Sequence, residues 1–72
     1  MTETNTIEVT INGKSREISL GLSVSDLLES LDLNPSLVVV EMNREILERD
    51  RHEEIVVKKG DVLELVHFGG GG

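Results

Sequence analysis

"SVSDLLESL", residues 23–31, is the stretch of this chain with a helical period, and its flanks decide the architecture. Val24, Leu27, Leu28 and Leu31 fall at i, i+3, i+4 and i+7, one apolar stripe on a short helix. Ser23 is placed as its N-cap, and Asp26 three residues on fits a capping box beside the positive helix end. Asn34–Pro35 reads as the stop, because Pro35 bars Asn34 from helical angles.

Before the helix, Ile7, Val9 and Ile11 alternate with Glu8 and Thr10, the period of a half-buried strand. Asn12–Gly13 follows and suits the two positive φ angles of a type I′ turn. Lys14 to Leu20 alternates again with Ile18 and Leu20 on one face, which completes a hairpin that Gly21 breaks. After the helix, "LVVVEMN" (37–43) is a strand with Val38, Val40 and Met42 toward the core and Val39 outward. Residues 43–56 are charged and irregular, predicting a turn, a short edge strand and a loop. "KKGD" (58–61) is a turn, and "VLELVHF" (62–68) is the last strand, with Leu63 and Leu65 facing the core. The order ββαββ with one extra short strand predicts an α+β fold: a mixed four- to five-stranded sheet with one main helix across one face. Residues 1–68 make one domain and 69–72 a flexible glycine tail.

Seventy-two residues support one small core, and with one Phe and no Trp or Tyr that core is aliphatic. The absence of cysteine excludes disulfides, thiolate metal sites, cysteine-ligated iron–sulfur clusters and a cysteine nucleophile. Two isolated histidines, His52 and His67, do not make a metal site by spacing. A net charge of −7 repels phosphate backbones, so nucleic acid is not an expected partner; a protein with a basic docking face is. No apolar run approaches a membrane span, and "MTETNT" lacks the features of a signal peptide, which predicts a cytoplasmic protein.

The sequence ends "VHFGGGG". Glycine loses more freedom on ordering than any other residue, so this run is expected to stay loose. It can extend roughly 14 Å and, lacking Cβ atoms, pass a channel too narrow for side chains. A terminal carboxylate is chemically inert until converted to an acyl-adenylate, so a threaded tail would bring it to a nucleotide site in another protein. A glycine run is also the mark of a linker or a cloning scar; its position directly after the last strand favours the functional reading.

The hairpin with "NG", the helix "VSDLLESL", the segment "VVVEMNREIL", the turn and strand "KKGDVLELVHF" and the Gly-Gly end together resemble the ThiS family of sulfur carriers. The resemblance implies a ubiquitin-like β-grasp fold. It implies that an E1-like (ThiF-like) enzyme adenylates the terminal glycine at the expense of ATP. The product becomes a thiocarboxylate whose sulfur a thiazole synthase (ThiG-like) takes for thiamin. On that basis Gly72 is the acylated residue, with Gly69, Gly70 and Gly71 as the threaded tail. Gly69 departs from the family pattern, where a larger residue is usual. The chain would be a sulfur-carrying substrate, with no catalytic residue, bound metal or bound cofactor of its own. Sulfur held on the chain end also agrees with the lack of a thiol.

Val39, Val62, Val66 and Phe68 fall on the outward face of the sheet and form a candidate docking patch; scattered surface valines are the plainer alternative. His67 has no candidate partner for acid–base work and reads as a packing or surface residue. His52 sits in a charged loop and earns no role, the run Glu41–Glu54 reads as a solvated face, and Arg44–Glu45 as a tight turn. Two alternatives stay open: the related MoaD-like small subunit of molybdopterin synthase, whose relatives carry a proline near the Gly-Gly, and a passive β-grasp interaction domain.

Overall fold

Residues 5–68 are described by the structure, a computed structural model. Strands β1 (Thr6–Ile11) and β2 (Lys14–Ser19) form an antiparallel hairpin. Helix α1 (Val24–Ser30) follows, then a 3-10 turn at Pro35–Leu37 and strands β3 (Val38–Met42) and β4 (Glu45–Leu47). A second 3-10 turn (Arg49–Arg51) precedes β5 (Val62–His67). The sheet order is β2-β1-β5-β3-β4, with β5 parallel to β1 and antiparallel to β3. This is the mixed sheet with one main helix that the element order predicts.

Local chemistry explains the elements. Asn12 and Gly13 take φ +52° and +82°, as a type I′ turn demands. The Ser23 hydroxyl accepts the Asp26 N–H at 3.0 Å, and the Asp26 carboxylate accepts the Ser23 N–H at 3.2 Å, so the capping box closes. The helix stops earlier than Asn34–Pro35 suggests. Asp32 enters the left-handed region at φ +62°, and Leu33 N–H reaches Leu28 C=O at 3.0 Å while Asp32 N–H reaches Glu29 C=O. That is a Schellman motif with aspartate in the usual glycine place. Asn34, extended as Pro35 requires, caps the 3-10 turn instead by accepting the Ser36 N–H.

The core holds Val9, Ile11, Ile18, Val24, Leu27, Leu28, Val38, Val40, Met42, Val57, Leu63 and Leu65, which confirms the expected facing of β1, α1, β3 and β5. Two expectations fail. Leu20 is 61 % exposed rather than packed beside Ile18, because β2 ends at Ser19 and Leu20 opens the bend into Gly21 at φ +93°. His52 is buried at 3 % exposure rather than lying in a solvated loop. Ser25 N–H donates to His52 C=O, Val24 N–H to Ile55 C=O, and Val57 N–H to Leu22 C=O. Residues 52–57 are thus tied along 22–25, which draws His52 and Val57 inward. Neither imidazole nitrogen of His52 has a hydrogen-bond partner among the described residues.

Candidate functional site

Strand β5 lies at the centre of the sheet and leads, through Phe68, to Gly69. Its register against β3 pairs Leu63 with Met42 and Leu65 with Val40 on the core face, and Glu64 with Glu41 and Val66 with Val39 on the face without a helix. The period of two along a strand makes these two sets alternate strictly. All four residues of the expected patch therefore surface together: Val39, Val62, Val66 and Phe68 are each exposed, from 37 % to 56 %. The Phe68 N–H donates to Leu37 C=O at 2.8 Å, so the residue before the glycines is still tied to the sheet.

Two features of this face were not legible beforehand. Ile46, 68 % exposed, stands opposite Glu41 on the edge strand β4 and extends the apolar row. Three residues of strand are too few to display a period, so the sequence carries no signal for its facing. Glu41 and Glu64 also face each other directly, a like-charge pair set among the aliphatic side chains. Direct opposition of like charges in a sheet is unfavourable. Arg44 lines the same open groove as Glu41, Val62 and Glu64. Yet the ion pair among the described residues is elsewhere, between Arg51 and Glu54.

His67 is exposed but belongs to the core-side set with Leu65, away from the apolar row. It lines a groove of about 340 Å³ with Ile11, Leu31, Leu33 and Val38, which suits a surface residue. Arg44 takes φ +73° after Asn43 at +52°, so Arg44–Glu45 does begin with a tight turn, its charges exposed. Among the described residues no cluster of His, Asp or Glu could hold a metal ion, and no helix is long and apolar enough to cross a membrane. Gly69, Gly70, Gly71 and Gly72 lie outside the described residues.

Comparison with known proteins agrees with this geometry. The model of the ThiS family matches residues 9–72. The sulfur carrier protein ThiS of Bacillus subtilis (strain 168) is 44 % identical over 50 residues, covering 69 % of this chain and 76 % of that protein. A thiazole synthase of Paramagnetospirillum magneticum is 38 % identical over 66 residues; these are 92 % of this chain but 20 % of that longer protein. The crystal structure of the thiamine biosynthesis protein ThiS from Geobacter metallireducens superposes with a TM-score of 0.79 at 38 % identity, covering 92 % of this chain and all of that one.

Proposed function

The chain belongs to the ThiS family of sulfur carriers, and on that premise we propose that Gly72 is the residue on which sulfur is carried. The role is in the formation of the thiazole of thiamin. In the proposed sequence a ThiF-like enzyme binds ATP, and a Gly72 carboxylate oxygen attacks the α-phosphate, releasing pyrophosphate. A sulfur nucleophile at the sulfide level then attacks the acyl carbon. The carbon–oxygen bond to AMP breaks, AMP leaves with that oxygen, and a thiocarboxylate remains. Sulfur is the softer and stronger nucleophile, so this group can attack a carbonyl or imine carbon in a ThiG-like synthase. The chain itself is the carried substrate.

One arrangement supports this reading above the others. The central strand that leads into Gly69 also bears Val62 and Val66, with Phe68 immediately beyond and Val39 alongside. A partner that covers the row is thereby placed next to the glycines. Fixing a chain segment in a partner's channel costs about 1–2 kcal/mol for each residue that must be ordered, and burial of the row at about 25 cal/mol per Å² is the available offset. The Glu41–Glu64 pair calls for a cation on the partner's face. Proteins named thiazole synthase that include a stretch similar to this chain support delivery to such an enzyme.

The test is pyrophosphate exchange into ATP by a ThiF-like enzyme in the presence of the chain and Mg-ATP. With a sulfur donor added, the intact mass should change by one sulfur replacing one oxygen, located on the C-terminal peptide. A chain with one residue added after Gly72 should be inert. Sulfuration of that extended chain at Gly72 without prior cleavage would refute the proposal.

A further inference from the structure

Strand β5 is held unequally along its two edges. On the β3 side its bonds run its full length, from Asn43 N–H on Val62 C=O (2.7 Å) to Phe68 N–H on Leu37 C=O (2.8 Å). On the β1 side the backbone ladder stops early. Thr10 pairs with Val62 and Ile11 with Leu63, Asn12 N–H donates to Leu63 C=O at 2.9 Å, and β1 then turns back at φ +52°. From there a side chain stands in for the missing strand. The Asn12 carboxamide oxygen accepts the Leu65 N–H at 2.7 Å, and its nitrogen donates to the Leu65 C=O at 3.3 Å. One amide thus carries the ladder two residues further toward the glycines.

Asn43 does the same at the other end of the strand. It too sits at φ +52° in a tight turn, its Oδ1 accepts the Val62 N–H at 2.9 Å, and its Nδ2 donates to Asp61 Oδ1 at 3.1 Å. Both turns therefore direct an asparagine amide onto the strand that leads to the tail, one at its start and one near its exit.

We propose that Asn12 is a positioning residue for acylation of Gly72: it holds the exit strand at Leu65 and so limits how many residues must be ordered when the chain end is seated in the partner enzyme. The proposal rests on the carrier reading. Each further residue that must be ordered lowers the population of the seated tail about 5- to 30-fold. The intact β3 ladder limits the loss, so removing the Asn12 amide should lower that population about tenfold. Val66 and Phe68 of the docking row lie in the same stretch but keep their pairing with Val39 and Leu37 on the β3 side, so docking is disturbed less than the seating of the chain end. The effect accordingly falls on the rate at saturation rather than on half-saturation.

Asn12→Gly keeps the positive φ and the turn but removes both side-chain bonds to Leu65. Asn43→Gly removes comparable bonds at the far end and is the control for general loosening. Pyrophosphate exchange by a ThiF-like enzyme is measured against carrier concentration, and backbone amide exchange is measured on the free proteins. The expected result for Asn12→Gly is a roughly tenfold lower kcat, KM within about threefold, and faster exchange at Leu65 than global unfolding explains. Asn43→Gly should lose similar thermal stability with kcat within about twofold. If Asn12→Gly melts below the assay temperature, Asn12→Asp, which keeps only the acceptor, carries the test with a smaller drop in kcat. The positioning role is overturned by an unchanged kcat, by a loss carried by KM alone, by unchanged Leu65 exchange, or by an equal loss in Asn43→Gly. If the unsubstituted chain supports no exchange, the carrier reading itself falls and the positioning role with it, whatever the amide rates.

Discussion

Leu65 and Val66 are neighbours in sequence, and truncating each should have opposite consequences. Leu65 is 9 % exposed in the aliphatic core, whereas Val66 is 56 % exposed beside Val39. Leucine-to-alanine changes in cores cost about 2–5 kcal/mol. Leu65 lies at the margin of the core, where the groove shared with Ile11, Leu33 and His67 gives its neighbours room to relax, so Leu65→Ala should fall near 2–3 kcal/mol. A chain of this length has about 4–11 kcal/mol to lose, at 0.05–0.15 kcal/mol per residue. At about 4–8 °C per kcal/mol the melting temperature drops by about 10–20 °C. Val66→Ala forfeits a cross-strand contact of about 0.2–1 kcal/mol and should shift melting by under about 8 °C. Binding to the adenylating enzyme should show the reverse order. Two methylene equivalents at about 0.8 kcal/mol each weaken the Val66→Ala complex about tenfold, while folded Leu65→Ala binds as the parent does. Circular-dichroism melts and a binding titration below the lower melting point decide the matter. If Leu65→Ala melts within a few degrees of the parent, or Val66→Ala is the less stable of the two, the facing of β5 is wrong.

Phe68→Ala should raise KM for the adenylating enzyme and leave kcat in place, since it removes apolar contact common to ground and transition states; a fall in kcat alone would contradict this. Gly72→Ala should do the opposite, because its methyl group crowds the carbon under attack, and single-turnover sulfuration at parental rate would count against Gly72 as the acylated residue. Glu64→Gln should stabilise the free domain by about 0.2–1 kcal/mol, by relieving its opposition to Glu41, yet weaken docking. An unaltered dissociation constant would remove the acid pair from the interface. His52→Leu, which replaces two buried nitrogens without a partner among the described residues by apolar volume, should raise stability by about 1–3 kcal/mol, read as a higher urea midpoint; a lower midpoint would mean that the imidazole has a partner.

Where the governing physics is local, the sequence alone determined the outcome. Ser23 and Asp26 are three residues apart and cap the helix; Asn12–Gly13 admits the positive φ angles its turn needs. The alternation in β3 and β5 set which residues face inward, and with it the apolar row of Val39, Val62, Val66 and Phe68. The resemblance to the ThiS family was legible in the same segments. What escaped depends on partners far along the chain. That β5 sits between β1 and β3, parallel to the first, is a matter of pairing across some fifty residues, and no short window encodes it. His52 looked solvated because its neighbours are charged, but the bonds from residues 52–57 to 22–25 bury it. Leu20 kept the period of its strand, and the chain's bend at Gly21 left it exposed. Asn12 was readable as a turn residue, since tolerance of a positive φ is a property of the residue itself, whereas Asn43 read as the end of its strand. That both amides serve one strand was decided only when the sheet brought that strand alongside them.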